Sequence, residues 1–203
     1  MANRSWLSRT ALLINENQLN ALENAHVIVI GLGGVGSFAA EFLCRAGIGT
    51  LTIVDGDQVE ASNRNRQLPA LSSTEGKYKT QVMKERLLDI NPDLKLHIVQ
   101  DFINPAEVNT LLSYPYDYVV EAIDSVTPKI TTLVAAYRKG LRIVSSMGAG
   151  GKLDPTKIKV VDISETHECK LAQWVRKRLK NHEIHIFFGI FPENYIFYID
   201  VAC

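Results

Sequence analysis

Apolar residues recur along the chain in two alternating rhythms. HVIVIG (26–31) is continuously apolar and β-branched, the pattern of a central parallel strand covered on both faces. GGVGSFAAEFLCRAG follows, with Val35, Phe38, Ala39, Phe42 and Leu43 at helical spacing and Gly47 and Gly49 at its close. TLTIVD (50–55) predicts a second strand. KTQVMKERLLDIN predicts a helix with Val82, Met83, Leu87 and Ile90 on one face, stopped by Pro92. LKLHIV (94–99) alternates as a strand, and NPAEVNTLLS (104–113) opens like a helix, with an asparagine cap and an early proline.

The same rhythm continues. DYVVEAID (117–124) predicts a buried strand ending in an acid, and VTPKITTLVAAYRKG places Val126, Ile130, Leu133, Val134 and Tyr137 on one helical stripe before Gly140. LRIVSSM (141–147) and TKIKVVDIS predict further strands on either side of the glycine-rich loop GAGGKLDP. Strict β-α-β-α alternation implies an α/β fold, a doubly wound and mainly parallel Rossmann-like sheet with helices on both faces. ECKLAQWVRKRLKN (168–181) reads as a basic amphipathic helix with Leu171, Trp174, Val175 and Leu179 on its apolar side. The last twenty residues carry Phe187, Phe188, Phe191, Tyr195, Phe197 and Tyr198, which must be buried under the domain or against a partner.

Composition narrows the picture. The 203 residues suit one domain, or one domain with an appendage. Twenty-two cations balance twenty-two anions, so no global field advertises nucleic acid or membrane, and an anionic ligand must be met by local clustering. Cys44, Cys169 and Cys203 form no C-x-x-C pair, which argues against a disulfide framework and a four-cysteine zinc site. The N-terminus has no apolar core of signal-peptide type, and no run reaches the roughly 20 apolar residues of a membrane span. The chain reads as cytoplasmic.

GLGGVG places Gly31, Gly33, Gly34 and Gly36 at the junction of the first strand and first helix. There glycines allow a tight turn and close backbone approach, and the helix N-terminus presents free N–H groups to phosphate. Asp55 ends the second strand about 20 residues on, where a carboxylate reaches ribose hydroxyls. Asp57 fits turn chemistry as well as the nucleotide site. These pieces suit a nicotinamide dehydrogenase as well as an ATP enzyme. Arg66, with a planar donor fork, and Lys79, a mobile point charge opening the next helix, tilt the balance. Breaking a triphosphate needs fixed donors for the charge that builds on pyrophosphate; hydride transfer does not. Asp124, at the end of its strand, suits a magnesium ion against nucleotide phosphates, or alternatively a helix cap for SVTPK.

With these residues assembled, the chain resembles the ThiF/MoeB superfamily, the adenylating fold shared with ubiquitin-activating enzymes. GLGGVG, AGIGTLTIVDGDQVEASNRNRQ, GKYKTQVMKERLLDINP and EAIDSVTPK carry the likeness over about residues 25 to 130. The resemblance implies use of ATP and Mg2+ to turn a carboxylate into an acyl-adenylate. It implies that Asp55 binds ribose, Asn63 and Arg66 hold phosphates, Lys79 is catalytic, and Asp124 is linked to the metal. A narrower likeness, in GAGGKLDPTKIKVVDIS and AIDSVTPK, is to the tRNA threonylcarbamoyladenosine dehydratase branch. It implies a tRNA substrate, a possible sulfurtransferase partner and a homodimer, in which Arg9, with Arg4 behind it, reaches a neighbouring phosphate site.

The expected organisation is an N-terminal helical segment (1–24), an adenylation domain (25–165), and a basic helix with an aromatic tail (166–203). That tail does not resemble the branch's continuation, so a truncated or frame-shifted end is expected. Competing readings are an activating enzyme for a ubiquitin-like or sulfur-carrier C-terminus, a nucleotide-binding module without catalysis, and a nicotinamide oxidoreductase.

Overall fold

The computed structural model describes residues 4–151 and 153–184, together with the backbone of 197–201. The chain divides into two compact units, Met1–Phe102 and Ile103–Cys203. Phe187, Phe188, Phe191, Tyr195 and Cys203 lie outside the described residues.

The first unit opens with two short 3-10 turns and helix α1 (Glu16–Asn24), whose Asn15 cap is a reciprocal capping box with Gln18. Then come β1 (His26–Ile30), α2 (Gly36–Arg45), β2 (Thr50–Val54), α3 (Lys79–Ile90) and β3 (Lys95–Val99). The strands run in the order β3-β2-β1, all parallel, with His26 opposite Thr50 and Thr50 opposite Lys95. Two successive β-α-β crossovers of this kind are a mononucleotide-binding half of a Rossmann-like fold. The continuous apolar runs explain the strands, since Ile28, Val29, Ile30, Leu51, Ile53 and Val54 are all essentially inaccessible.

Helix α2 lies the other way up from its apolar spacing. Its buried face is Gly36, Ser37, Ala40, Glu41 and Cys44, whereas Val35, Phe38 and Phe42 are exposed, Phe42 by 66%. Small residues let the helix approach closely, and the bulky ones are turned outward. Buried Glu41 accepts from both Arg45 and, across to α3, Arg86. Those two guanidinium groups hold its carboxyl below the usual carboxylate range.

The second unit contains α4 (Val108–Leu111), β4 (Tyr118–Glu121), α5 (Val126–Arg138), β5 (Ile143–Ser146), β6 (Ile158–Val161), α6 (Lys170–Lys180) and β7 (Phe197–Val201). Its strand order is β4-β5-β7-β6; β6 alone is antiparallel, against β7. Helix α4 is much shorter than 104–113, because Asn104 accepts from the backbones of Ala106 and Glu107 and holds a turn first. Backbone residues 197–201 of the aromatic tail are a strand between β5 and β6 of the same unit. In α6 the buried face is Ala172, Val175 and Leu179, while Trp174, expected on the apolar side, is 52% exposed. Each unit is α/β and mainly parallel, as its alternation of elements predicts.

Candidate functional site

The first unit gathers its polar side chains beyond the carboxyl ends of β1 and β2. Gly31 has φ of 92°, a left-handed conformation that turns the chain sharply out of β1. The Asp55 carboxylate then spans the two strand ends. One oxygen accepts from the Leu32 N–H at 2.6 Å and the other from the Asp57 N–H at 2.8 Å. A carboxylate has about four lone-pair sites, so roughly two remain for a ligand. Gly56 is required between the two acids, since a Cβ there would sit 2.7 Å from the Phe102 nitrogen.

Gly33 and Gly34 differ from Gly56. A Cβ on Gly33 would meet nothing nearer than Gln67 Nε2 at 3.9 Å, and neither residue has positive φ. At neither residue would a Cβ meet an atom closer than 3.4 Å, so packing alone does not demand glycine here, and the bare backbone suits close approach of a phosphate. Ser37, fully buried in the first turn of α2, donates to the Gly33 carbonyl at 2.5 Å and accepts from the Leu68 N–H at 3.4 Å. It ties the glycine loop to the 61–68 segment. A Cβ on Gly34 would lie 3.5 Å from Arg66 Cγ, so the arginine stem lies against the loop. One guanidinium nitrogen of Arg66 donates to Ser62 O and Asn65 Oδ1, and the side chain is otherwise exposed. Asn63 is buried and its Oδ1 accepts from the Glu60 N–H, which shapes the turn.

Lys79 opens α3 with only 4% of its surface exposed. Its Nζ donates to Asp57 Oδ2 at 2.8 Å, and its backbone N–H donates to the Asp57 carbonyl at 3.0 Å. Asp57 is thus more than a turn residue: it seats the ammonium group beside Asp55. An ammonium has three donors, which leaves two for an anionic ligand. Sequence reading passed over this pair and also Gln67, whose buried Oε1 has no partner among the described residues and whose Nε2 lies near Gly33. An orphaned acceptor is the signal that could have drawn attention to it.

Burial pushes the Asp55 carboxyl up from its ordinary value, against the opposing pull of the Leu32 and Asp57 N–H groups and the Lys79 charge. A carboxyl whose pKa is higher folded than unfolded stabilises the fold while protonated, and this is lost as pH rises through the folded value. At neutral pH its ionised form is therefore no source of stability. Asp55→Asn has one acceptor oxygen for the two N–H groups of Leu32 and Asp57, and is expected to cost about 1–3 kcal/mol at pH 7. The deficit should grow as pH falls into the carboxylate range, where the wild type gains stability and the asparagine variant does not. Melting curves from pH 4 to 8 test this, and a variant as stable as wild type at neutral pH would show that the two bonds do not hold the turn.

Arg9 and Asp124 are not among these contacts. Arg9 is exposed just after Leu7, and Leu7 lies against Gly47, on the approach to the amino end of β2. Arg4 is committed within its own chain to Glu16, Asn20 and Glu23. Asp124 belongs to the second unit, in the loop from β4 to α5. The α5 cap position falls on Ser125, and the exposed Asp124 carboxylate enters none of the ion pairs among the described residues. Its loop is anchored from below: Glu121 Oε1 accepts from the Ile123 N–H at 2.7 Å, and its other oxygen takes bonds from Lys129 and Ser145. Lys129 Nζ also donates to Ser145 Oγ and Ser146 O. Among the described residues, no three His, Cys, Asp or Glu side chains gather to hold a metal ion by themselves.

A glycine loop between a parallel strand and a helix, with a carboxylate on the next strand end, defines a nucleotide-binding α/β protein of Rossmann-like class. A ThiF family model matches residues 7–192, and the chain belongs to the ThiF family. It is 43% identical over 180 residues to tRNA threonylcarbamoyladenosine dehydratase of Escherichia coli (strain K12), covering 87% of this chain and 67% of that protein. To the protein of the same name from Haemophilus influenzae it is 44% identical over 168 residues, 83% of this chain and 64% of the relative. The chain therefore spans about two thirds of the length of these curated relatives. The crystal structure of the E. coli tRNA N6-threonylcarbamoyladenosine dehydratase in complex with ATP matches with a TM-score of 0.89 at 39% identity. That match covers 98% of this chain and 82% of the other. Among the described residues, no helix is long and apolar enough to cross a membrane.

Proposed function

We propose that this protein uses ATP to adenylate the carboxylate of the threonylcarbamoyl group on a tRNA adenosine, and that ring closure follows. The observation that carries this reading is the seating of Lys79 on Asp57, whose own N–H is held by the Asp55 carboxylate that also takes the Leu32 N–H of the glycine loop. The likeness to named dehydratases supports the choice of carboxylate.

The roles follow from the chemistry. Gly31, Gly33, Gly34 and Gly36 form the turn against which phosphates lie, and Asp55 takes the ribose hydroxyls through its remaining lone pairs. Arg66, Asn63 and Lys79 face the phosphate chain, with Asp57 keeping the ammonium in place. A carboxylate oxygen of the substrate attacks the α-phosphorus, the bond to the β-phosphate bridging oxygen breaks, and pyrophosphate leaves with the charge that Arg66 and Lys79 meet. An attacking group within the threonylcarbamoyl chain then closes onto the activated carbonyl, loses a proton and expels AMP. The sum is removal of water at the expense of ATP.

The exposed Asp124 carboxylate is the residue that would hold Mg2+. Bound there, it would neutralise phosphate charge. In this reading residues 25–165 are the adenylation domain, the partners are tRNA and a sulfurtransferase, and the setting is the cytoplasm. The active form is a homodimer in which Arg9, exposed and in no ion pair among the described residues, serves the neighbouring copy. The uncovered stripe Val35, Phe38 and Phe42 on α2 favours such an association.

ATP–pyrophosphate exchange with modified tRNA, unmodified tRNA and a Gly-Gly peptide, run in parallel, tests the reading. Exchange that depends on modified tRNA is expected, and preference for the peptide would move the assignment to a carrier-protein activating enzyme. Saturating ATP with magnesium, at about 100 times its dissociation constant, should add roughly 2.7 kcal/mol of stability. NAD should not, and a larger melting shift with NAD would remove the ATP assignment altogether.

A further inference from the structure

We propose that the exposed face of α6 is an RNA-binding surface, with Trp174 as a base-stacking platform between Lys170 and the pair Lys177 and Arg178. The inference rests on the tRNA reading above and names where that partner is gripped. In a chain whose charges balance, this helix carries five cations and no acid, Lys170, Arg176, Lys177, Arg178 and Lys180.

The structure sorts those cations into two groups. Arg176 turns inward, where its guanidinium donates to the Thr166 carbonyl at 2.7 Å, to the Thr166 hydroxyl and to the Ile163 carbonyl. It is a structural residue. Lys170, Lys177, Arg178 and Lys180 are exposed and enter none of the ion pairs among the described residues. Residues three and four apart share a helix face, so Lys170, Trp174, Lys177 and Arg178 form one stripe. At a rise of 1.5 Å per residue it runs about 12 Å along the axis.

Trp174 discriminates between partners. An indole left half-open among unpaired cations suits an unstacked base whose neighbouring phosphates meet the ammonium and guanidinium groups. A membrane surface would need the apolar face of the helix, yet Ala172, Val175 and Leu179 are already buried inside this unit. The same burial removes the helix as a ligand for an apolar groove. What remains outward is positive charge and one aromatic plane. Three or four phosphate contacts imply a salt slope of roughly −2 to −3.5 in log affinity against log salt.

The chain has two tryptophans, Trp6 and Trp174, so a Trp6→Phe background makes Trp174 the only indole reporter. Titrating a tRNA transcript should quench its emission, whereas heparin should bind without quenching. Lys177→Glu with Arg178→Glu is expected to weaken tRNA binding at least tenfold and to flatten the salt slope by about 2. Trp174→Ala should weaken binding about tenfold and leave the slope unchanged. The Lys177→Arg variant should bind as wild type. Retention of the ATP-induced rise in melting temperature shows that each variant is folded. Unchanged tRNA affinity in the double variant, absence of quenching, or tighter binding to phosphatidylserine–phosphatidylcholine vesicles than to tRNA would each overturn the α6 surface. Failure of the underlying reading has a different signature, a wild-type chain that exchanges pyrophosphate with the Gly-Gly peptide and binds no tRNA; that result would overturn both.

Discussion

Replacing Lys79 by alanine is expected to slow adenylation about a hundredfold while leaving the Michaelis constant for ATP within a few-fold of wild type. The reasoning starts from its partner. The ammonium is seated on Asp57 at 2.8 Å, so part of its charge is answered within the protein itself. In the proposed reaction its remaining donors would matter most when charge moves onto the leaving pyrophosphate. An interaction that strengthens in the transition state lowers the barrier, whereas one made equally in the ground state changes only binding. Removing one such donor typically costs on the order of 3 kcal/mol. Asp57→Asn should fall between, because it keeps the lysine but loosens its seat. Single-turnover pyrophosphate release separates the steps. If Lys79→Ala raised the Michaelis constant and left the turnover number alone, the residue would be a binding group only.

The strands were legible in the sequence because buried parallel strands are written as continuous apolar runs. His26–Ile30 and Thr50–Val54 needed no more than that. Helix faces were less legible. Spacing found a stripe on α2, but Val35, Phe38 and Phe42 are the outward side, because tight packing selects Gly36, Ser37 and Ala40. Hydrophobicity ranks residues by transfer from water and is blind to how closely two elements approach. Trp174 misled in the same way: it is apolar and correctly spaced, and it is exposed.

At the site, the glycine turn and Asp55 were visible because their spacing is set within one β-α-β unit. The Asp57–Lys79 pair was not visible as a pair. Its members lie on different elements and meet only once Gly56 has folded the turn against residues 101 and 102. The partnerless Gln67 Oε1 is a property of packing alone. Lys129 was hidden for a related reason. On a helix otherwise read as an apolar stripe, a lysine looks like surface; here it is fully buried.

Lys129→Met is expected to be the most destabilising single change in the second unit, at about 3–5 kcal/mol. Both members of the Lys129–Glu121 pair have 0% of their side-chain surface exposed. Glu121 ends β4 directly beside Ser145 of β5, so the carboxylate is held in the sheet and has no route to water. Removing the ammonium strands a negative charge there, and that uncompensated charge dominates the loss more than the vanished bond does. For a chain of this size the melting temperature should fall by roughly 10 °C. The companion variant Glu121→Gln with Lys129→Met keeps an acceptor for the Ile123 N–H and leaves no charge behind. It should recover most of the stability, and the difference measures the coupling. A single variant that melts within 2 °C of wild type would show that the Lys129–Glu121 pair contributes little to the stability of the second unit.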